Sequence, residues 1–98
     1  MIFEWDEAKR IGNLAKHGVD FEAVRDFDWT TSTQSADRRW DYGEVRWQAR
    51  GLIGARLHVL VFTWRGDRVR VISLRRANIL EVKDYETKDL PSHPGRRR

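Results

Sequence analysis

The chain has no cysteine in its 98 residues. Disulfides and thiolate metal sites are therefore excluded, and a reducing compartment such as the cytoplasm suits it. Both prolines fall in the terminal "LPSHPGRRR". No apolar run approaches the roughly 18 residues of a membrane span, so no association with a membrane is expected. The opening "MIFEWDEAKR" carries charge at once, without the apolar stretch of a signal peptide, and none is expected. Several reaction classes lack their signatures too. No histidine–carboxylate cluster has metal-ligand spacing, no glycine-rich phosphate loop follows a strand, and no serine has the context of a nucleophile elbow. No metal or cofactor is expected, and there is no internal repeat.

What the sequence does have is enough apolar matter for one small domain. Forty per cent of residues are hydrophobic and five are tryptophan. A core of this size is often stabilised further by a partner. The net charge of +4 is unevenly spread. Residues 1–64 hold 9 basic and 10 acidic side chains, a net of −1, and residues 65–76 hold 5 and 1, a net of +4. Residues 77–86 hold 1 and 3, a net of −2, and residues 87–98 hold 4 and 1, a net of +3. Positive charge concentrated on one element suggests an anion site more than a diffuse basic surface does.

Local patterns give the elements. "IFEW" is a short edge strand. Asp6 caps a helix that runs to about Lys16, Glu7 suits the positive end of its dipole, and Gly18 provides the stop. Ala8, Ile11, Leu14 and Ala15 recur at helical spacing and mark its expected buried face. Asp20 caps a second, shorter helix with Phe21, Val24 and Phe27 on one side. Residues 28–43 read as a polar loop that enters a strand near Arg38. Three strands follow in "EVRWQARG", "ARLHVLVFTW" and "DRVRVISLRR", joined by tight turns at "GLIG" and "RGD", with residues 56–64 central. Asn78 and Glu81 form a capping box for a last helix with Ile79, Val82 and Tyr85 on one face. The expected fold is an α+β domain over residues 1–87: two N-terminal helices and a C-terminal helix packed on one face of a small antiparallel sheet. Residues 88–98 are expected to be a disordered basic tail.

The last strand carries five arginines between Arg65 and Arg76, interleaved with Val69, Val71, Ile72 and Leu74. Strict alternation puts Arg68, Arg70, Ile72, Leu74 and Arg76 on one face, and Val69, Val71, Ser73 and Arg75 on the other. Guanidinium groups stay protonated and offer fixed donors suited to phosphate. The bland alternative is a solvated or aggregation-guarding strand face, or neutralisation of acids such as Asp41 and Glu44. His17 titrates near neutrality and can serve as acid or base, or simply bind the last helix carbonyls. His58 sits in the most apolar strand, where a structural role fits. Lys9 and Lys16 share a helix face. Trp29, Trp40, Trp47 and Trp64 are able to stack on bases, although Trp47 and Trp64 suit a core or partner interface.

The assembled pattern goes further. "FEWDEAKRIGNLAKHGVDFEAVRDF" (residues 3–27), "DYGEVRWQARG" (residues 41–51), "GDRVRVISLRRAN" (residues 66–78) and "YE" (residues 85–86) resemble, in order and spacing, the BrnT family of toxins from BrnT–BrnA type II toxin–antitoxin modules. The resemblance implies a RelE-like ribonuclease fold and metal-independent cleavage of RNA that stops translation. It implies a ribbon-helix-helix antitoxin of the BrnA kind in a 2:2 complex, which contacts operator DNA. On the family pattern Arg65, Arg75, Arg76, Glu22 and His17 are the candidate catalytic residues, and Lys9, Lys16 and Arg70 the candidate RNA contacts. Trp64 beside Arg65 and Leu74 before Arg75 depart from that pattern. The implied reaction is attack by the RNA's own 2′-hydroxyl, with Glu22, His17 or a lysine as base. Two other functions use the same arginines: a non-catalytic nucleic-acid-binding module, and an adaptor that docks an acidic partner.

Overall fold

The computed structural model describes residues 1–39 and 41–89. Strand β1 spans Ile2–Trp5, helix α1 Glu7–His17, β2 Thr33–Asp37, β3 Arg46–Ile53, β4 Arg56–Arg65, β5 Arg68–Arg76, and helix α2 Ile79–Asp89, with a 3-10 helix at Phe21–Asp26. Local chemistry sets the boundaries of α1. Asp6 accepts a hydrogen bond from the Lys9 backbone N–H at 3.1 Å, and Gly18 ends the helix at φ 71° while its N–H donates to the Leu14 carbonyl. The capping box forms as expected: Asn78 accepts from the Glu81 N–H at 2.8 Å, and Glu81 accepts from the Asn78 N–H at 2.9 Å.

The five strands form one sheet in the order β1-β5-β4-β3-β2. It is mixed, not antiparallel, because β1 runs parallel to β5, with Phe3 opposite Val69 and Trp5 opposite Val71. The expected second α-helix is the 3-10 helix. Its buried residues Phe21, Val24 and Phe27 are three apart, which matches three residues per turn better than 3.6. The loop expected at residues 28–43 contains β2, which ends before Arg38 instead of beginning there. Its sequence "TQSAD" has no apolar alternation, and most of its side chains keep contact with solvent at the edge of the sheet. The expected tail coincides with the helix at residues 88–89, and the rest of it lies outside the described residues.

The helices do not share a face. The main core joins Leu60 and Phe62 of β4 with Val69, Val71 and Leu74 of β5 under Val19, Phe21, Val24 and Phe27. Across the sheet a smaller cluster of Leu57, Val59 and Ala77 receives Val82 and Tyr85 of α2. Ile79, expected beside them, is 66% exposed. One close fit fixes the lid on the main core: the Phe27 ring lies over Gly51, where an added Cβ would come within 2.5 Å of it.

Helix α1 is inverted relative to expectation. Ile11 is 56% exposed and Leu14 41%, and Ala8 and Ala15 also face solvent. The side turned to the protein is Arg10, Asn13 and His17, of which Asn13 is buried. The Asn13 amide donates to the carbonyls of Leu74 (2.7 Å) and Val19 (2.9 Å), and its oxygen accepts from the Leu74 N–H at 3.2 Å. β1 covers the outer edge of β5 only as far as Val71. Beyond it, the Asn13 side chain takes the place of a neighbouring strand. Arg10 completes the attachment through Asp20 at 2.9 Å.

Candidate active site

The register of β5 decides where its arginines point. Phe62 pairs with Val71 but Val61 pairs with Ser73, so Ile72 is an extra residue in a bulge. Strict alternation therefore fails. Val69 and Val71 share the main-core face with Leu74 and, one step on, Arg76. Arg68, Arg70, Ser73 and Arg75 lie on the opposite face.

That opposite face is neutralised from within. Arg70 meets Glu4 at 3.0 Å and Arg68 meets it at 3.7 Å. Arg65 and Arg46 each lie 3.5 Å from Glu44, and Arg50 meets Asp84 at 2.8 Å. Arg75 makes a two-pronged pair with Glu81, both contacts at 2.8 Å. This pair lowers the Glu81 carboxyl to about 2 and raises Arg75. The arginine-rich strand is largely a ladder of satisfied ion pairs. Arg76 differs. It is exposed, and among the described residues it has no carboxylate partner. Its guanidinium lies beside Gly18, with NH1 3.8 Å from where a Cβ would stand.

One imidazole lies opposite this cation, and a second stands at the end of α1 that Gly18 brings to it. His58 is directly opposite Arg76 across β4 and β5 and is buried, with Nδ1 2.8 Å from the Arg56 carbonyl. A carbonyl only accepts, so Nδ1 carries the hydrogen and Nε2 keeps its lone pair. Among the described residues no buried side-chain nitrogen lacks a partner and Nε2 has none, so Nε2 reaches the surface. Burial lowers the His58 pKa, opposed by the Arg56 carbonyl and reinforced by the charges of Arg76 and Arg56. His17 stands at the end of α1. Its pKa is lowered first by burial, then by Lys16 and Arg75. Both rings are thus mainly neutral at pH 7 and able to accept a proton.

Of the residues expected at a site, the fold gathers Lys16, His17, Arg75 and Arg76 where α1 and β5 end. It leaves Arg65 apart: Arg65 pairs with Arg68 at the far turn while His58 pairs with Arg76, a separation of seven residues or about 23 Å. Glu22 faces solvent and meets Arg25 at 2.7 Å. Lys9 is exposed about 10 Å back along α1. Trp29 and Trp47 pack against the main core, and Trp64 is 48% exposed. Trp40 lies outside the described residues. A hollow of about 500 Å³ is lined by Asp37, Asp41 and Glu44 with Arg38 and Arg46, and by none of the gathered cations. His58 and Asn13 were not legible as site residues, because their roles depend on strand pairing and on an unpaired edge.

Residues 5–81 match the family described as "Ribonuclease toxin, BrnT, of type II toxin-antitoxin system". The chain belongs to the BrnT family. The match takes in α1, strands β2 to β5 and the Asn78–Glu81 capping box, and so every residue gathered around Arg76. A type II module pairs its toxin with a protein antitoxin, so a BrnT chain has a protein partner. No individual curated protein matches the sequence. Among the described residues no helix is long and apolar enough to cross a membrane.

Proposed function

We propose that this BrnT chain is a RelE-like, metal-independent endoribonuclease whose reacting phosphate sits at Arg76. The carrying observation is one guanidinium without a carboxylate partner, Arg76, opposite the neutral His58 imidazole and beside the end of α1 that carries Lys16 and His17. The 2′-oxygen of the RNA attacks the adjacent phosphorus, and the bond to the 5′-oxygen breaks. A 2′,3′-cyclic phosphate and a 5′-hydroxyl result. The 2′-hydroxyl proton passes to an imidazole, and the leaving 5′-oxygen takes a proton from solvent. Arg76 stabilises the charge that develops on phosphorus, and Lys16 adds to the local positive potential. The proposed route uses side chains alone.

In this reading the cleavage stops translation in the cytoplasm. A BrnA-like ribbon-helix-helix antitoxin neutralises the toxin in a 2:2 complex and carries it to operator DNA. The internal pairing of Arg46, Arg50, Arg65, Arg68, Arg70 and Arg75 weakens the case for a purely electrostatic RNA-binding module, which needs free cations. Incubation with RNA in chelator tests the reading. The expected result is cleavage to cyclic phosphate ends, cut about 10²–10³-fold by Arg76→Ala. Retention of RNA without cleavage would mark a binding module instead.

A further inference from the structure

Helix α1 presents an apolar face that nothing among the described residues covers. Ala8, Ile11, Gly12, Leu14 and Ala15 lie on its outward side, and the space where Gly12 would carry a Cβ is open for 4 Å. The inward side is polar and held by Asn13 and Arg10. A helix that turns its polar stripe to its own domain and its apolar stripe to water is built for a second occupant. Charge narrows the choice. Lys9 and Lys16 flank this face on one side, exposed and without a carboxylate partner among the described residues. On the other flank Glu7 is bound by Arg10 at 2.6 Å. A second copy docked here antiparallel about a two-fold axis would bring Lys9 and Lys16 of the two chains together. The segment "LPSHPGRRR" is itself basic.

We propose that the outward face of α1 is the docking site of the antitoxin, and that it takes an amphipathic helix whose apolar side is flanked by acidic residues. Small residues at positions 8, 12 and 15 let that helix approach closely, with Ile11 and Leu14 as the apolar anchors. The face ends at Lys16 and His17, next to Arg76. An acidic helix laid along it therefore sets carboxylates where the RNA phosphate would sit. The docking rests on membership of a toxin–antitoxin family, and the block on cleavage rests on the site proposed above.

The experiment uses the full chain and the purified antitoxin of its module. The double variant Ile11→Glu/Leu14→Glu changes only exposed side chains and should melt like the wild type. It should bind antitoxin about 100-fold or more weakly, and it should cleave RNA without being restrained by antitoxin. Leu80→Glu, at a 72% exposed position on α2, should bind as the wild type does. Unchanged affinity in the double variant overturns the proposal. So does a dimer of the free chain, seen by light scattering, that the double variant abolishes, because a second copy would then occupy the face. So does a change in RNA retention with antitoxin affinity intact. If the double variant does not fold, hydrogen exchange on the wild type decides: added antitoxin should slow residues 7–16, and unaltered exchange there overturns the proposal. If the wild type does not cleave RNA, the ribonuclease reading fails while the binding measurements still judge the docking site.

Discussion

Replacing Asn13 should unfasten α1 from the sheet. Its side chain satisfies three buried backbone groups, the Leu74 N–H, the Leu74 carbonyl and the Val19 carbonyl, at 3.2, 2.7 and 2.9 Å. Leaving one such group unsatisfied costs about 1–3 kcal/mol. At a sheet edge water can reach part of the gap left by alanine, so Asn13→Ala is expected to cost about 3 kcal/mol in total rather than the full sum. For a domain of this size that lowers Tm by roughly 12–24 °C. Asn13→Asp should be worse at neutral pH, because one carboxylate oxygen would face two carbonyls. Its folded-state pKa would rise above the unfolded value, so its deficit relative to Asn13→Ala should shrink as pH falls and the acid becomes a donor. Thermal melts of the three proteins from pH 7 to pH 4.5 supply the test. An Asn13→Ala protein that melts within about 2 °C of wild type would refute the idea that this amide stands in for a strand.

Arg75→Ala and Arg76→Ala should part company in the melt. The first strands Glu81, 13% exposed, and destabilises the docking of α2, while the second leaves stability within roughly 0.5 kcal/mol and loses cleavage. Arg68→Ala, at the far turn, should alter neither property much, and toxicity on induction with melts of each variant checks all three. The Glu81 carboxyl lies at about 2, below its ordinary 4.5, so the ion pair's contribution is complete above pH 4.5 and lost as pH falls through about 2. The gap in stability between wild type and Glu81→Gln, at most about 3 kcal/mol and less because the guanidinium is partly hydrated, should close over that window in urea melts. Gly51→Ala forces a methyl group against the Phe27 ring and should cost about 1–3 kcal/mol in a denaturant titration. His17→Asn and His58→Asn separate the two candidate bases: the acid limb of the cleavage pH profile should disappear in one of them, and its persistence in both would remove the imidazoles from the reaction.

Much of the local structure was written in the sequence, because it depends on residues only a few positions apart. Asp6, Gly18 and the Asn78–Glu81 box fix helix ends through bonds spanning three or four residues. The apolar run of β4 and the turns at Gly54 and Gly66 define the central hairpins in the same way. The ordered motifs that mark a BrnT chain are likewise linear. What the sequence by itself could not decide was which side of each element meets the rest of the molecule. The apolar spacing of Ala8, Ile11, Leu14 and Ala15 does identify a face of α1, but that face looks outward, because the unpaired edge of β5 offers backbone groups that only Asn13 can satisfy. One bulged residue, Ile72, reverses the alternation of β5 and sends Arg76 to the core face and Arg75 to the other. The partners of the arginines come from distant parts of the chain, as when Glu4 meets Arg70 across 66 positions. Spacing along a strand cannot foretell such pairs. Tertiary structure alone decided which arginines are spent on ion pairs and left Arg76 open beside His58.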